Sequence, residues 1–240
     1  MENIRKILKN KILILDGAMG TMIQDYKLDE NDYRGDKFSD YISSLKGNND
    51  LLSITQPKII ENIHYKYLMA GADIIETNTF NANSISQSDY NLEDFVFEMN
   101  FQSAQIAKNA VKRFNKNNEG KKFVCGSIGP TNRTASLSPK VEDLSFRNVT
   151  FDELYTTYYE QVDGLVKGGV DLLMIETIFD TLNCKAAIIA INNYLDDHNL
   201  EIPLMISVTI VDKSGRTLSG QTLEAFWHTI KYSKKSVLES

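Results

Sequence analysis

Cysteine is scarce in this chain: Cys125 and Cys184 are the only two among 240 residues. Two thiols make no disulfide framework at this length, which points away from an oxidising compartment. Each reads as a small buried hydrophobe, Cys125 within an apolar strand and Cys184 on a helix. The three histidines, His64, His198 and His228, show no i, i+4 pairing. These five residues therefore lack the spacing of a zinc site, and no metal ligand can be named. No Ser-His-Asp arrangement is suggested either. An excess of positive charge is missing too: 26 Lys and Arg stand against 32 Asp and Glu, a net charge of −6, which leaves no basic footprint for nucleic acid. No apolar run approaches the roughly 20 residues of a membrane helix. The opening MENIRKILKNKILILDGAMG has a strand-length apolar run leading into D-G-A-M-G rather than a cleavage site, so no signal peptide is expected. The expectation is a cytoplasmic protein with no membrane partner.

What is present suits one packed domain over residues 1–240. Hydrophobic residues make up 42% and charged residues 24%, enough apolar material for a sizeable core. The organising stretch is Ile12–Thr21, ILILDGAMGT. Its four apolar residues read as a short strand buried on both faces, ending at Asp16. Gly17, Ala18 and Gly20 allow a close turn whose N–H groups can receive an anion. Met22 to Lys46 shows no sustained period and reads as a long surface connection. Pro57 then opens a helix with Ile59, Ile60, Ile63, Tyr67 and Leu68 on one stripe. Further strands are expected at Asp73–Phe80, Phe123–Ile128, Asp171–Thr177 and Leu204–Ile210. Helices are expected at Asn91–Phe114, Phe151 to about Lys167, Leu182–Tyr194 and Leu223–Tyr232, with a long loop from Thr131 to Thr150.

Five strand–helix units in alternation argue for α/β architecture with a parallel sheet and helices outside. The sentence A-G-A-D-I-I-E-T at Ala70–Thr77 recurs as G-G-V-D-L-L-M-I-E-T at Gly168–Thr177. Each is a helix end, a tight turn, a buried strand and an acid at its mouth, as a (β/α)8 TIM-type barrel produces unit by unit. Five units make an incomplete barrel.

The strand mouths collect the candidate site. Asp16 and Glu176 suit an ammonium group through charge-assisted hydrogen bonds, beside the anion-receiving turn at Gly17, Ala18 and Gly20. Glu76, Asn78, Thr79, Asn132 and Arg133 are further mouth candidates. The competing reading is that each acid caps a helix or pairs locally. Gly129–Thr134 is either an anion cradle or a plain loop, since it lacks the spacing of a nucleotide motif. Asp212–Gly220 reads as another mouth loop, with Ser219 or Thr222 capping the last helix.

Several runs, taken together, resemble one family. They are L-D-G-A-M-G-T (Leu15–Thr21), A-D-I-I-E-T-N-T-F (Ala72–Phe80), G-P-T-N-R-T-A-S (Gly129–Ser136), F-R-N-V-T-F (Phe146–Phe151), L-M-I-E-T-I-F-D-T-L-N (Leu173–Asn183) and S-G-R-T-L-S-G-Q-T (Ser214–Thr222). In this order they resemble the N-terminal homocysteine-binding barrel of cobalamin-dependent methionine synthases, from about Ile12 to Tyr232. The resemblance implies that Asp16 and Glu176 hold the ammonium of homocysteine and that the backbone near Gly17, Ala18 and Met19 takes its carboxylate. It also implies transfer of a methyl group from methylcobalamin to a zinc-bound thiolate. In the family the zinc cysteines lie on later strands, and neither Cys125 nor Cys184 falls at a ligand position. Beyond Ser233, after Lys234-Lys235, the text diverges from the expected sixth strand, as a frameshift or a split gene would produce. A second polypeptide carrying the remaining strands is then the expected partner, alongside the cobalamin and folate modules of the full enzyme. A nonfunctional truncated product and a metal-free amino-acid-binding module are the alternatives.

Overall fold

The computed structural model describes residues 4–231. Short helices α1 (Ile4–Leu8), α2 (Met19–Gln24), α3 (Glu30–Arg34) and α4 (Leu52–Thr55) precede the long α5 (Pro57–Ala70). Strand β1 (Ile74–Glu76) leads to α6 (Ser84–Gln87) and α7 (Val96–Phe114). The chain continues as β2 (Phe123–Ile128), α8 (Phe151–Gly168), β3 (Leu172–Ile178), α9 (Thr181–Asp197), β4 (Leu204–Val208) and α10 (Leu223–Ile230). Residue 232, at the expected end of the last helix, and the stretch after Ser233 lie outside the described residues.

The four strands are parallel and lie in sequence order, β1-β2-β3-β4. An open doubly wound sheet reverses its order at a switch point, whereas a barrel adds each strand beside the last. The sheet is therefore of the barrel type, and it is not closed among the described residues. The helix boundaries have local causes. Pro57 starts α5 at its first position and Gly71, in the left-handed region at φ 111°, stops it. Thr150 and Glu153 form a capping box for α8, and Thr222 caps α10. On α8, Gly164 and Gly168 admit α7 closely: a Cβ on Gly168 would stand 2.5 Å from the Ala104 Cβ.

Side chains alternate between the two faces of the sheet. Ile75, Val124, Leu173 and Ile175 join the larger core beneath the helices. Ile74, Phe123, Cys125, Leu172 and Met174 form the inner layer, with Ile4 of α1 packed on it. One step further along, the inner positions become Glu76, Ser127 and Glu176. The period of two thus carries each strand from an apolar layer to a polar mouth.

Two expectations need correction. The Ile12–Leu15 stretch is not a strand buried on both faces: it makes a single parallel bridge, Leu15 to Ile74, with Ile12 89% and Ile14 59% exposed. It pairs on one side only among the described residues, so half its surface stays open. The Met22–Lys46 segment is not a plain surface connection. It contains α3 and places Tyr33, Phe38 and Leu45 in a second core with Leu51, Leu52, Ile60 and Met99. Glu30 fastens it by accepting the N–H groups of Leu45 and Lys46, each at 2.9 Å.

Candidate functional site

Asp16 sits where the bridged segment ends. Its backbone N–H donates to the Ile74 carbonyl at 2.9 Å, and its two carboxyl oxygens accept from the Glu76 N–H at 3.1 and 3.2 Å. Gly17 follows, packed so closely that a Cβ there would lie 3.1 Å from the Tyr67 ring. The chain turns directly into α2, and Ala18, the residue before it, offers no side-chain cap. The first-turn N–H groups from Met19 onward have no partner within the helix, by the geometry of any helix start.

Glu176 lies at the mouth of β3. The pairing with β4 slips by one residue between Ile175 and Ile178, and Thr177 takes φ 55°, a left-handed conformation costly for a β-branched residue. This bulge sets the direction of the strand end that carries Glu176. Ser127 on β2 donates a short hydrogen bond to one Glu176 oxygen, and the Thr177 hydroxyl reaches the other at 3.3 Å. Glu76 ends β1, and its Oε1 is buried with no hydrogen-bond partner among the described residues.

These groups share a cavity of about 440 Å³ lined by Asp16, Gly17, Ala18, Met19, Glu76, Asn78, Thr79 and Glu176 from the sequence-predicted set. Burial pushes the Asp16 carboxyl up to about 7, with Glu176 adding to the rise against the lowering effect of the backbone hydrogen bonds. Burial pushes Glu76 up to about 8, assisted by the negative fields of Glu176 and Asp16. Asp16 and Glu76, buried side by side with Glu176 next to them, resist simultaneous ionisation. Such a cavity favours a cation.

Asn78 and Thr79 line the space but are committed elsewhere. The Asn78 amide donates to the Asn49 carbonyl at 2.7 Å and the Ser53 hydroxyl at 3.2 Å, and Thr79 donates to the Ser127 carbonyl at 2.7 Å. They hold the β1 mouth in place. Asn132 and Arg133 are not brought to this cavity. The Asn132 amide donates to Asp89 at 2.8 Å, and Arg133 lines a separate hollow of about 480 Å³ with Ser84, Glu93 and Asp152. Their loop is anchored from outside the sheet: Asp180, which caps α9, also accepts the N–H groups of Ala135 and Ser136 at 2.8 Å.

Sequence reasoning missed Ser127, Asn49 and Asp50, which also line the cavity. Asp50 is buried, accepts the Asn81 N–H at 2.9 Å, and is pushed up to about 6 by that burial. Asn48-Asn49-Asp50 stands at the re-entry into packed structure, where a solvated turn acid and a buried one share the same letters. The signal available for Ser127 was its period-two offset from Cys125 on β2.

Cys125 and Cys184 are both fully buried free thiols, and burial raises both, Cys184 to about 12. Among the described residues no group of three His, Cys, Asp or Glu side chains is placed to hold a metal ion. No described helix is long and apolar enough to cross a membrane.

Comparison with known proteins agrees with this architecture. The chain is similar in structure to the homocysteine methyltransferase MmuM from Escherichia coli. For the oxidized form the TM-score is 0.72 at 20% identity, covering 96% of this chain and 73% of that one. For the metallated form it is 0.72 at 21% identity, covering 95% and 73%, and for the apo form 0.65 at 19%, covering 95% and 71%. At these identities the likeness is one of fold. The family model described as homocysteine S-methyltransferase matches residues 13–238, a span that takes in the Lys234-Lys235 stretch set apart in the sequence. A match over nearly the whole chain decides the assignment: the chain belongs to the homocysteine S-methyltransferase family.

Proposed function

We propose that this chain binds homocysteine at the inner mouth of its sheet, as the substrate-binding part of a methionine synthase that takes its methyl group from methylcobalamin. Family membership supports homocysteine as the substrate class. The cobalamin donor rests on the resemblance carried by the Gly129–Thr134 run and the long loop that follows it. The observation that carries the reading is the convergence of Asp16, Glu76 and Glu176 on one cavity beside the uncapped start of α2.

An amino acid meets this surface with its two charges. Its ammonium lies between Asp16 and Glu176, which accept its N–H groups as charge-assisted hydrogen bonds. Its carboxylate turns toward the backbone of Gly17, Ala18 and Met19, where helix-start N–H groups favour an anion. The sulfur end then points out of the sheet toward the methyl donor. Zinc, implied by the family resemblance, does not fit the two cysteines described here: Cys125 is buried within β2 and Cys184 on α9, and neither lines the cavity. No step of the reading runs through it. The cobalamin and folate modules of such an enzyme are the proposed partners.

The test is homocysteine binding to the 240-residue chain and to Asp16→Asn and Glu176→Gln by titration calorimetry. Both substitutions keep shape and an acceptor oxygen, and each is expected to weaken binding roughly 30-fold or more, the effect of removing one partner of a desolvated charge pair. Unchanged affinity in both would overturn the assignment.

A further inference from the structure

We propose that Glu76 is the proton-exchanging acid of the cavity: it holds a proton while the cavity is empty and releases it when the ammonium of an amino-acid ligand arrives between Asp16 and Glu176. This rests on the reading of the cavity given above and extends it to a residue whose role the family match leaves open.

Acidic groups surround Glu76. The groups facing it are Asp16 before α2, Asp50 on the 3-10 turn Asn49–Leu51, Glu176 on β3 and the Cys125 thiol on β2, with Tyr67 of α5 standing over Gly17. None of the described residues lining the cavity is a lysine, arginine or histidine. Asp16 has the Glu76 N–H as a donor, and Glu176 has the hydroxyls of Ser127 and Thr177. Asp50 has the N–H of Asn81. Glu76 differs from all of them, for its Oε1 is buried without a donor among the described residues. An ionised carboxylate needs donors, and the acid with fewest is the one that keeps its proton. Its carboxyl, pushed up to about 8 by burial and by its two acidic neighbours, agrees with that geometry.

Arrival of an ammonium reverses the balance. It supplies both a positive field and N–H donors within the same space, so the proton on Glu76 leaves to solvent and three carboxylates face one cation. The protons balance: up to one is released from the Glu76 carboxyl, the fraction of Asp16 still protonated near neutral pH adds its own, and none is taken up by the ligand, whose amine enters already protonated. Binding of an amino acid is therefore accompanied by net proton release near neutral pH, and it tightens as pH rises toward the Glu76 titration.

Methionine is the suitable probe, because it carries the ammonium and carboxylate of the proposed product but no thiol proton. Calorimetry of methionine binding to the whole chain at pH 7.5, in buffers of different ionisation heat, reads the protons released. The expected result is a substantial fraction of one proton released by the wild type. Glu76→Gln is expected to bind methionine about tenfold more weakly, because the variant cannot ionise to meet the ammonium, and to release less than half as many protons. Infrared difference spectra give a second readout that needs no affinity from the variant: methionine should bleach a protonated-carboxyl band in the wild type. Methionine binding with no proton release and no bleached band would overturn the proposal while leaving the cavity reading intact. The same proton count in Glu76→Gln would also overturn it. No methionine or homocysteine binding to the wild type would instead overturn the reading of the cavity on which it rests.

Discussion

Asp16 and Glu76 keep protons that their unfolded counterparts lose, and this makes the stability of the chain depend on pH in an unusual direction. Their carboxyls move from ordinary values of 3.8 and 4.5 to about 7 and about 8 in the fold. The folded state then binds more protons than the unfolded state between roughly pH 4 and pH 8, so stability falls as pH rises through that window. The loss is on the order of a few kcal/mol at most, because the two groups are coupled and partly solvated. Glu30 works in the opposite sense. Its hydrogen bonds to Leu45, Lys46 and Ser44 lower it from 4.5 to about 2, so its contribution is present above pH 4.5 and disappears toward pH 2. Thermal melts at several pH values check both. The wild type should melt at lower temperature at pH 8 than at pH 5, and Asp16→Asn should flatten that slope; an unchanged slope would contradict the burial of these acids. Asp16 and Glu176 were legible in the sequence because each follows an apolar run and stands beside a turn. Asp50 was not, since a buried acid and a solvated one are written identically. Asn132 and Arg133 were assigned to the mouth from their place after β2, but Asn132 is held by Asp89, Arg133 lines the other hollow, and the loop that follows is fastened to Asp180 at the start of α9.

Secondary-structure elements were legible in proportion to how completely they are buried. Phe123–Ile128 is buried at all six positions, and the sequence places that strand to the residue. Helices α5, α8 and α9 carry long periodic stripes and clear stop signals, so their ends fall within a few residues of expectation. The Ile12–Leu15 segment looked like a central strand because an edge strand that lacks one neighbour keeps the same apolar letters. Tyr33, Phe38 and Leu45 are spaced by irregular backbone, and no periodicity marks them as core. The contact of α7 with α8 makes a further prediction. Glycine to alanine inside a helix normally stabilises by about 1 kcal/mol. At Gly168 the added Cβ would meet the Ala104 Cβ at 2.5 Å and the Phe101 carbonyl oxygen at 2.9 Å. Gly168→Ala should therefore destabilise by about 1–3 kcal/mol, read as a lower denaturation midpoint in urea. A raised midpoint would show that the two helices separate without cost.

The whole molecule is a run of parallel strands in barrel order with two sides still open among the described residues. Ile12 and Ile14 flank one side, and β4 forms the other, with Ile206 and Val208 only partly buried. Exposed strand edges of this kind template further pairing. The chain alone is expected to self-associate with rising concentration in sedimentation velocity, and Ile14→Lys to shift it toward monomer without changing its circular dichroism. Concentration-independent monomer for the wild type would contradict this account of the edges. The same architecture explains the site: only consecutive parallel strands bring Asp16, Glu76, Ser127 and Glu176, spread over 160 residues of sequence, to one mouth.

The central claim is that these acids recognise an amino acid through its ammonium group. The most direct measurement compares homocysteine with 4-mercaptobutanoate, which keeps the thiol and the carboxylate but lacks the amine, as ligands for the intact chain by titration calorimetry. The account predicts that homocysteine binds and that the amine-free thiol binds at least about 100-fold more weakly, as loss of a buried charge partner requires. Equal binding of the two would contradict it, for the acidic mouth would then play no part in recognition.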